Sequence, residues 1–526
     1  MTDRWYVRLL LATALMGFGG RAQNPGDPSR PFDLKGTVYD SVTNAPIAHA
    51  LVQIPGQPYP AAFTDGDGRF EIPQVRPGLT LVQAEKPGYF SPRDLSQGRG
   101  GFVMLSESTG DVQVKLIPEG HIEGRITNSD KEPVAGLTIS AMGEQIVAGW
   151  KRQMPIGSAT TNAAGRFRLD GLRPGQYYLR TAERRMFPSA PLNSGVNIGY
   201  APQYYPVAPD ANWSQAMEVK AGETVQANME LPPARFYQID GAVTGFSGQG
   251  AYIELTNEAG QVAENGIDPK TGTFKLFMVF PGNWKLASRT QGPRSSSAYG
   301  EQYVHVTDSN VSGVRIDMHP VPNVPLQIDM PTSGPPAGNN IGTPQVQLIA
   351  MDHSESQQMF WSQTDNSKQE PSRFFAGIPP GSYHVSVQPM AGMCVQSISS
   401  GSRDLAGGVF VVPEDIAPQP IHVVFGTDCA KLTGDISTTD ANWTGMAVLV
   451  PVSAPTSPIL LNILPDRSFA LQGLSPGDYR IFAVSDLAGL EYANPQAMQN
   501  IPSEEIHLDA NQTTHVSLEL YRREQP

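Results

Sequence analysis

Residues able to do chemistry are scattered along this chain of 526 residues rather than gathered in one pattern. None of its nine histidines stands in the His-x-x-Glu or His-Glu-x-x-His spacing that assembles ligands around one zinc ion. Asp65-Gly66-Asp67-Gly68 opens as a calcium loop would, but the later acidic ligands and the terminal Glu are missing. The same Asp-Gly pairs are the usual chemistry of a hairpin turn. No Gly-x-Ser-x-Gly elbow and no phosphate-binding loop appears. The sequence therefore offers no catalytic residue, no metal ligand and no cofactor site, and the expectation is a protein that is not an enzyme.

Cysteines and aromatic residues are the remaining candidates. Cys394 and Cys429 are the only cysteines. In an exported chain such a pair reads as one disulfide, the alternative being two buried thiols. Trp150, Tyr204, Tyr205, Trp213 and Trp443 fall outside any alternating pattern, as do Tyr200 and Trp361. Exposed aromatic faces stack on sugar C–H surfaces and dominate many interfaces, so these are the candidate ligand-facing residues, the segment from Arg185 to Trp213 first among them. The alternative is that each caps the end of its own domain.

The elements that must position them follow from one stretch, Thr161 to Arg180. Phe167 and Leu169 alternate with Arg166 and Arg168, and Tyr177 and Leu179 alternate with Gln176, Tyr178 and Arg180. Each run offers one apolar face at period two, which predicts two half-buried strands. Between them Pro174 presets the φ of a tight turn and Gly175 accepts the positive φ that follows. The same sentence recurs around Phe70 with Pro77-Gly78, Phe274 with Pro281-Gly282, Phe374 with Pro380-Gly381, and Phe469 with Pro476-Gly477. A spacing of roughly 100 residues is the period of a whole small β-domain, longer than a solenoid unit.

Before the first repeat, Met1 to Asn24 reads as a secretory signal peptide: Arg4 and Arg8 precede the apolar run Leu9 to Phe18, and Gly20-Arg21-Ala22 supplies small residues before Gln23. That run is about half the ~20 residues a membrane span needs. The expectation is a secreted chain, extracellular or periplasmic, without a membrane span once mature. The 52 Gly and 47 Pro exceed average usage but stay short of a disordered composition, and 40 % hydrophobic residues can furnish cores. A net charge of −13 without a basic run argues against nucleic acid or an anionic membrane surface as partner.

The first repeat carries a more specific pattern: Gly36-Thr37-Val38-Tyr39-Asp40, Thr43-Asn44, Pro46-Ile47, Ala50-Leu51-Val52-Gln53-Ile54, then Asp67-Gly68-Arg69-Phe70 and Pro77-Gly78. It resembles the carboxypeptidase regulatory-like domain, a family similar to transthyretin in topology and related to Cna B-type and starch-binding-like sandwiches. The second repeat shares it through Gly124-Arg125-Ile126 and Pro133-Val134-Ala135-Gly136, whereas the other three keep mainly the Phe and Pro-Gly half. The resemblance implies an all-β chain of tandem immunoglobulin-like, transthyretin-like Greek-key β-sandwiches. The catalytic peptidase domain to which the family's name refers is absent. Cna B-type relatives form Lys to Asn bonds; Lys35 and Lys431 lie at strand starts as such a lysine does, yet no partner is evident and both read as surface lysines.

The chain divides into 1–24, the signal peptide, and sandwiches at 25–119, 120–234, 235–320, 321–429 and 430–526. Tyr177, Tyr383 and Tyr479, two residues after the Pro-Gly glycine, resemble a tyrosine corner, whose hydroxyl bonds upstream backbone. Thr80 and Trp284 replace the Tyr in the first and third repeats, where that bond is not expected, and Trp284 reads as core. Short connections between closing and opening strands keep neighbouring domains in contact. Two functions remain: a secreted non-catalytic binding or adhesion protein with glycans or extracellular proteins as partners, or a structural stalk or assembly protein of the cell envelope with no small-molecule ligand.

Overall fold

The computed structural model describes residues 30–522, apart from 96–101, 148, 191–196, 209–213, 246–250, 258–261, 291–297, 332–343, 352–358, 367–370, 389, 391, 414–415, 439–444, 456, 462, 465, 486 and 488. The expected signal peptide, Trp213 and Trp443 lie outside the described residues. What is described is β-strand and turn, with one four-residue helical turn at Pro92–Leu95. The chain is all-β and built of tandem sandwiches.

The repeated motif folds as its alternation dictates. In the strand Arg166–Leu172, Phe167, Leu169 and Leu172 are buried while the residues between them face water; in Gly175–Thr181, Tyr177 and Leu179 are buried. Each such apolar side chain taken fully out of water contributes about 1.5–3 kcal/mol, which is what holds a short strand to its core.

A pairing between Gly and Phe explains why the two halves of the motif travel together. Gly36 lies opposite Phe70, Gly124 opposite Phe167, Gly241 opposite Phe274 and Gly434 opposite Phe469. In each case the Phe ring covers the glycine: a Cβ on Gly36, Gly124, Gly241 or Gly434 would lie 2.5, 3.0, 2.8 or 2.4 Å from a ring carbon. The aromatic ring fills the gap a glycine leaves in the sheet. In the fourth sandwich Val324 and Pro325 lie opposite Phe375 and Phe374, and this packing is replaced by direct burial of Phe375.

The Pro-Gly corner is pinned by a side-chain bond. The hydroxyls of Tyr177, Tyr383 and Tyr479 donate to the carbonyls of Arg173, Pro379 and Ser475, each at 2.7 Å. Trp284, where that bond is not expected from sequence, makes it as well: its indole N–H donates to the Phe280 carbonyl at 2.9 Å. Indole and phenol both place a donor at the far end of an aromatic ring, so either reaches the carbonyl four residues back. Burial pushes the Tyr479 hydroxyl up to about 12, so it remains a donor at neutral pH. Replacing Tyr479 with Phe is expected to cost about 1 kcal/mol, the net worth of such a bond; faster hydrogen exchange along Gly477–Val484 with unchanged circular dichroism is the check.

The third sandwich shows the topology most plainly. One sheet orders Thr273–Val279, Tyr237–Thr244 and Val311–Asp317; the other orders Val262–Gly266, Ala251–Asn257, Gly282–Thr290, Ala298–Val306 and His319–Pro320. Its first and last long strands, Tyr237–Thr244 and Val311–Asp317, run parallel. Parallel pairing closes the second, fourth and fifth sandwiches too, through Gly120–Asn128 with Thr224–Gln226, Val324–Asp329 with Ile421–Gly426, and Ala430–Ser437 with Thr513–Tyr521. A parallel closing strand leaves its sandwich at the end opposite to where the first strand entered.

The chain forms two compact units. The first comprises the described residues up to Tyr39 with Pro46–Ala84 and Phe102–Val114; its core holds Leu34, Val38, Val52, Ile54, Phe70 and Ile72. The second comprises Asp40–Ala45, the described part of Glu85–Gly101, and Lys115 onward. Within it lie separate cores, around Ile122 and Leu179, Ile239 and Trp284, Phe375 and Val423, and Leu432 and Ile481.

Candidate functional site

The structure parts the sequence's aromatic candidates. Tyr204 is 4 % exposed and packs with Met142 and Ala208, while Arg180 stacks over its ring at 5.9 Å. It is a core residue, a correction to the expectation that it faces a ligand. Tyr205 is half-buried against the core of the second sandwich, and Tyr200 is buried in that core. The reason is local: backbone bonds from Tyr205 N–H to Leu179 O at 2.9 Å and from Thr181 N–H to Gln203 O at 2.9 Å draw the segment after Arg185 down onto the strand Gly175–Thr181. The described stretch around Gln203 to Tyr205 is therefore joined to the edge of the strand Gly175–Thr181.

Trp150 is half-buried near the tip of the hairpin formed by Thr138–Val147 and Trp150–Thr160. That tip reaches the fifth sandwich. Ala493 N–H donates to Gly149 O at 3.0 Å, and Lys151 N–H donates to Glu491 Oε1 at 3.1 Å. Gly149 has φ +85°, and a Cβ there would stand 2.4 Å from that of Ala493, so its glycine is required both by conformation and by close approach. Beside this contact is a cavity of about 200 Å³ lined by Val450, Val452, Phe482, Tyr492, Met498 and Arg480. Arg480 is engaged there by Ser503 Oγ at 2.7 Å.

Other aromatic residues stand in the open on ordered strands. Tyr303 is 66 % exposed, Trp361 47 % with Met359 beside it at 51 %, and Phe63 68 %. Of these the sequence singled out Trp361 alone; Tyr303 was missed because the strand Ala298–Val306 lacks a clean apolar alternation.

The polar motifs are structural. Asp65 Oδ1 accepts the N–H groups of Asp67 and Arg69 at 3.0 and 2.8 Å, which is turn chemistry. Asn162 does the same for Ala164 and Arg166, and Asp268 for Lys270 and Thr271, whose N–H groups hold the Asp268 carboxyl below its usual range. Among the described residues no group of three or more His, Cys, Asp or Glu is placed to hold a metal ion. Lys35 is a surface residue 3.5 Å from Glu71.

Cys394 and Cys429 form a disulfide with Cα atoms 5.6 Å apart. Cys394 opens the strand Cys394–Ser400, which pairs with Ile421–Gly426, and Cys429 immediately precedes the first strand of the fifth sandwich, Ala430–Ser437. The junction carries further bonds: Ser475 Oγ donates to Val395 O, and Ser457 Oγ lies 3.0 Å from Nε2 of His384, whose pKa burial pulls below its usual value.

Residues 33–99 and 121–232 match the model of the carboxypeptidase regulatory-like domain. The first two sandwiches are similar to carboxypeptidase regulatory-like domains. The later three carry the same Phe and Pro-Gly corner. No curated protein matches the chain significantly. Solved structures similar to it include the Bacillus anthracis TIE protein, 12 % identical, with 75 % of this chain and 74 % of that one covered at a TM-score of 0.18. They also include the Streptococcal ancillary pilin, 12 % identical over 55 % of this chain and 99 % of that one, TM-score 0.19. A third is GBS52, the minor pilin of Streptococcus agalactiae, 14 % identical over 39 % and 98 %, TM-score 0.18. Superpositions this loose leave the question of function to the residues of this chain. Among the described residues, no helix is long and apolar enough to cross a membrane.

Proposed function

We propose that this chain is a secreted, non-catalytic binding or adhesion protein whose ligand is carbohydrate. The observation that carries the reading is that large aromatic side chains, Tyr303 and Trp361 among them, stand exposed on strands rather than on loose loops. A ring that an ordered strand leaves open to water is placed to meet a sugar face or a partner. Export is supported by the basic and apolar character of Met1 to Asn24 and by a disulfide, which persists in oxidising compartments. The non-catalytic reading is supported by the regulatory-like family of the first two sandwiches. The division into five sandwiches at 119/120, 234/235, 320/321 and 429/430 belongs to this proposal.

A specific observation favours a second reading, a structural stalk or assembly protein: consecutive sandwiches are tied where the fourth meets the fifth, by Ser475 Oγ donating to Val395 O and by Ser457 Oγ beside His384 Nε2. Such ties fix distances between units, which a stalk needs and a ligand site does not. Screening the mature chain on a glycan array separates the two. Specific glycan hits are expected; an array blank at high protein concentration would favour the stalk.

A further inference from the structure

We infer that the outer face of the larger sheet in the third sandwich binds an uncharged polysaccharide, an inference that rests on the carbohydrate reading above and gives it a place. Three neighbouring strands, Ala251–Asn257, Gly282–Thr290 and Ala298–Val306, turn alternate residues outward in register. Tyr252, Arg289 and Tyr299 form one row across the strands; Glu254, Ala287 and Glu301 form the next; Thr256, Lys285 and Tyr303 form the third. Rows are roughly 6.8 Å apart along the strands and strands roughly 4.8 Å apart. Ala287 lies between the two glutamates, with aromatic residues in the rows on either side.

The charges of this face are organised in advance. Arg289 Nη2 lies 2.6 Å from Glu254 Oε2, and Lys285 Nζ lies 2.6 Å from Glu301 Oε2. Arg289 stands 5.2 Å from the centre of the Tyr252 ring, Lys285 5.9 Å from that of Tyr303. The Tyr299 hydroxyl donates to Glu301, and burial together with that carboxylate raises its pKa, so the donor stays in place. Arg289 and Lys285 are met by Glu254 and Glu301, and Glu264 stands opposite Glu254 in the same row, so the face offers a polyanion no net attraction, and the chain as a whole carries −13. A sugar hydroxyl both donates and accepts, and it fits a surface where donors and acceptors alternate. The open Tyr303 ring offers the apolar face that a pyranose C–H surface covers.

Affinity electrophoresis of the full mature protein tests the assignment, in native gels cast with soluble xyloglucan, mixed-linkage β-glucan, galactomannan or starch, and with alginate as a charged comparison. Retardation is expected in at least one neutral gel and not in alginate. Tyr303→Ala, at an exposed position that leaves the fold intact, is expected to weaken binding by about tenfold or more, as loss of an aromatic anchor does. Tyr59→Ala, exposed in the first sandwich, should bind as the wild type does. Equal retardation of wild type and Tyr303→Ala would overturn this location while leaving the carbohydrate reading standing. Unretarded wild type in every neutral gel, the result if the face binds protein instead, would overturn both, and retardation by alginate alone would overturn the uncharged class.

Discussion

Reducing the Cys394–Cys429 bond is expected to weaken the fourth sandwich by about 3–4 kcal/mol, the chain entropy released when a loop of this length is no longer closed. The two cysteines are 35 positions apart in sequence, and the bridge ties the strand Cys394–Ser400 to the segment that follows its partner Ile421–Gly426. For a domain of this size that loss lowers its melting transition by more than about 10 °C. The whole chain melts in several steps, so the effect should be read locally. Hydrogen exchange in dithiothreitol is expected to accelerate along Cys394–Ser400 and Ile421–Gly426 and to stay unchanged along Arg166–Leu172 of the second sandwich. Titration of the unfolded, unreduced protein should find no free thiol; two per chain would contradict both the bridge and part of the case for export.

The second large effect belongs to Gly241. A Cβ there would lie 2.0 Å from the carbonyl oxygen of Val314 and 2.8 Å from the Phe274 ring. The nearer atom is backbone in the parallel strand Val311–Asp317, and it can move only by breaking the ladder. Gly241→Val is therefore expected to cost about 3 kcal/mol or more, at the upper end of overpacking. Phe274→Ala should not rescue it, because removing the ring leaves the carbonyl where it was. Limited proteolysis of the full chain should show new cleavage between Tyr237 and Asp317 in Gly241→Val and in the double variant alike. A double variant as resistant as wild type would mean that the ring, and not the backbone, sets the limit.

How far these features could be read from the sequence depended on how local they are. The strand, turn and strand around each Pro-Gly pair were legible because alternation and turn chemistry act within ten residues or so. The Gly and Phe partners were visible as motif letters, but their contact was not, since it crosses strands 33 to 43 positions apart, from Gly241 with Phe274 to Gly124 with Phe167. Trp284 was placed in the core from its alternation, and its bond to Phe280 was missed because the expectation asked for a hydroxyl where any donor at that reach serves. Tyr204 misled for the opposite reason: its surroundings have no periodicity, and the backbone bonds of its neighbours Tyr205 and Gln203 with Leu179 and Thr181 bury it. The sheet face of the third sandwich needed three strands in register before Arg289, Lys285, Glu301 and Tyr303 could be seen as one surface.

Recovering the ligand after binding distinguishes a protein that leaves it unaltered from one that acts on it. An oligosaccharide prepared from whichever neutral polysaccharide retards the protein should be brought to binding equilibrium with the mature chain, released by denaturation, and weighed by mass spectrometry. Saturable binding with the oligosaccharide returned at its original mass is the expected result. Shortened products would contradict the account by showing catalysis, and failure to saturate would contradict it by showing no site.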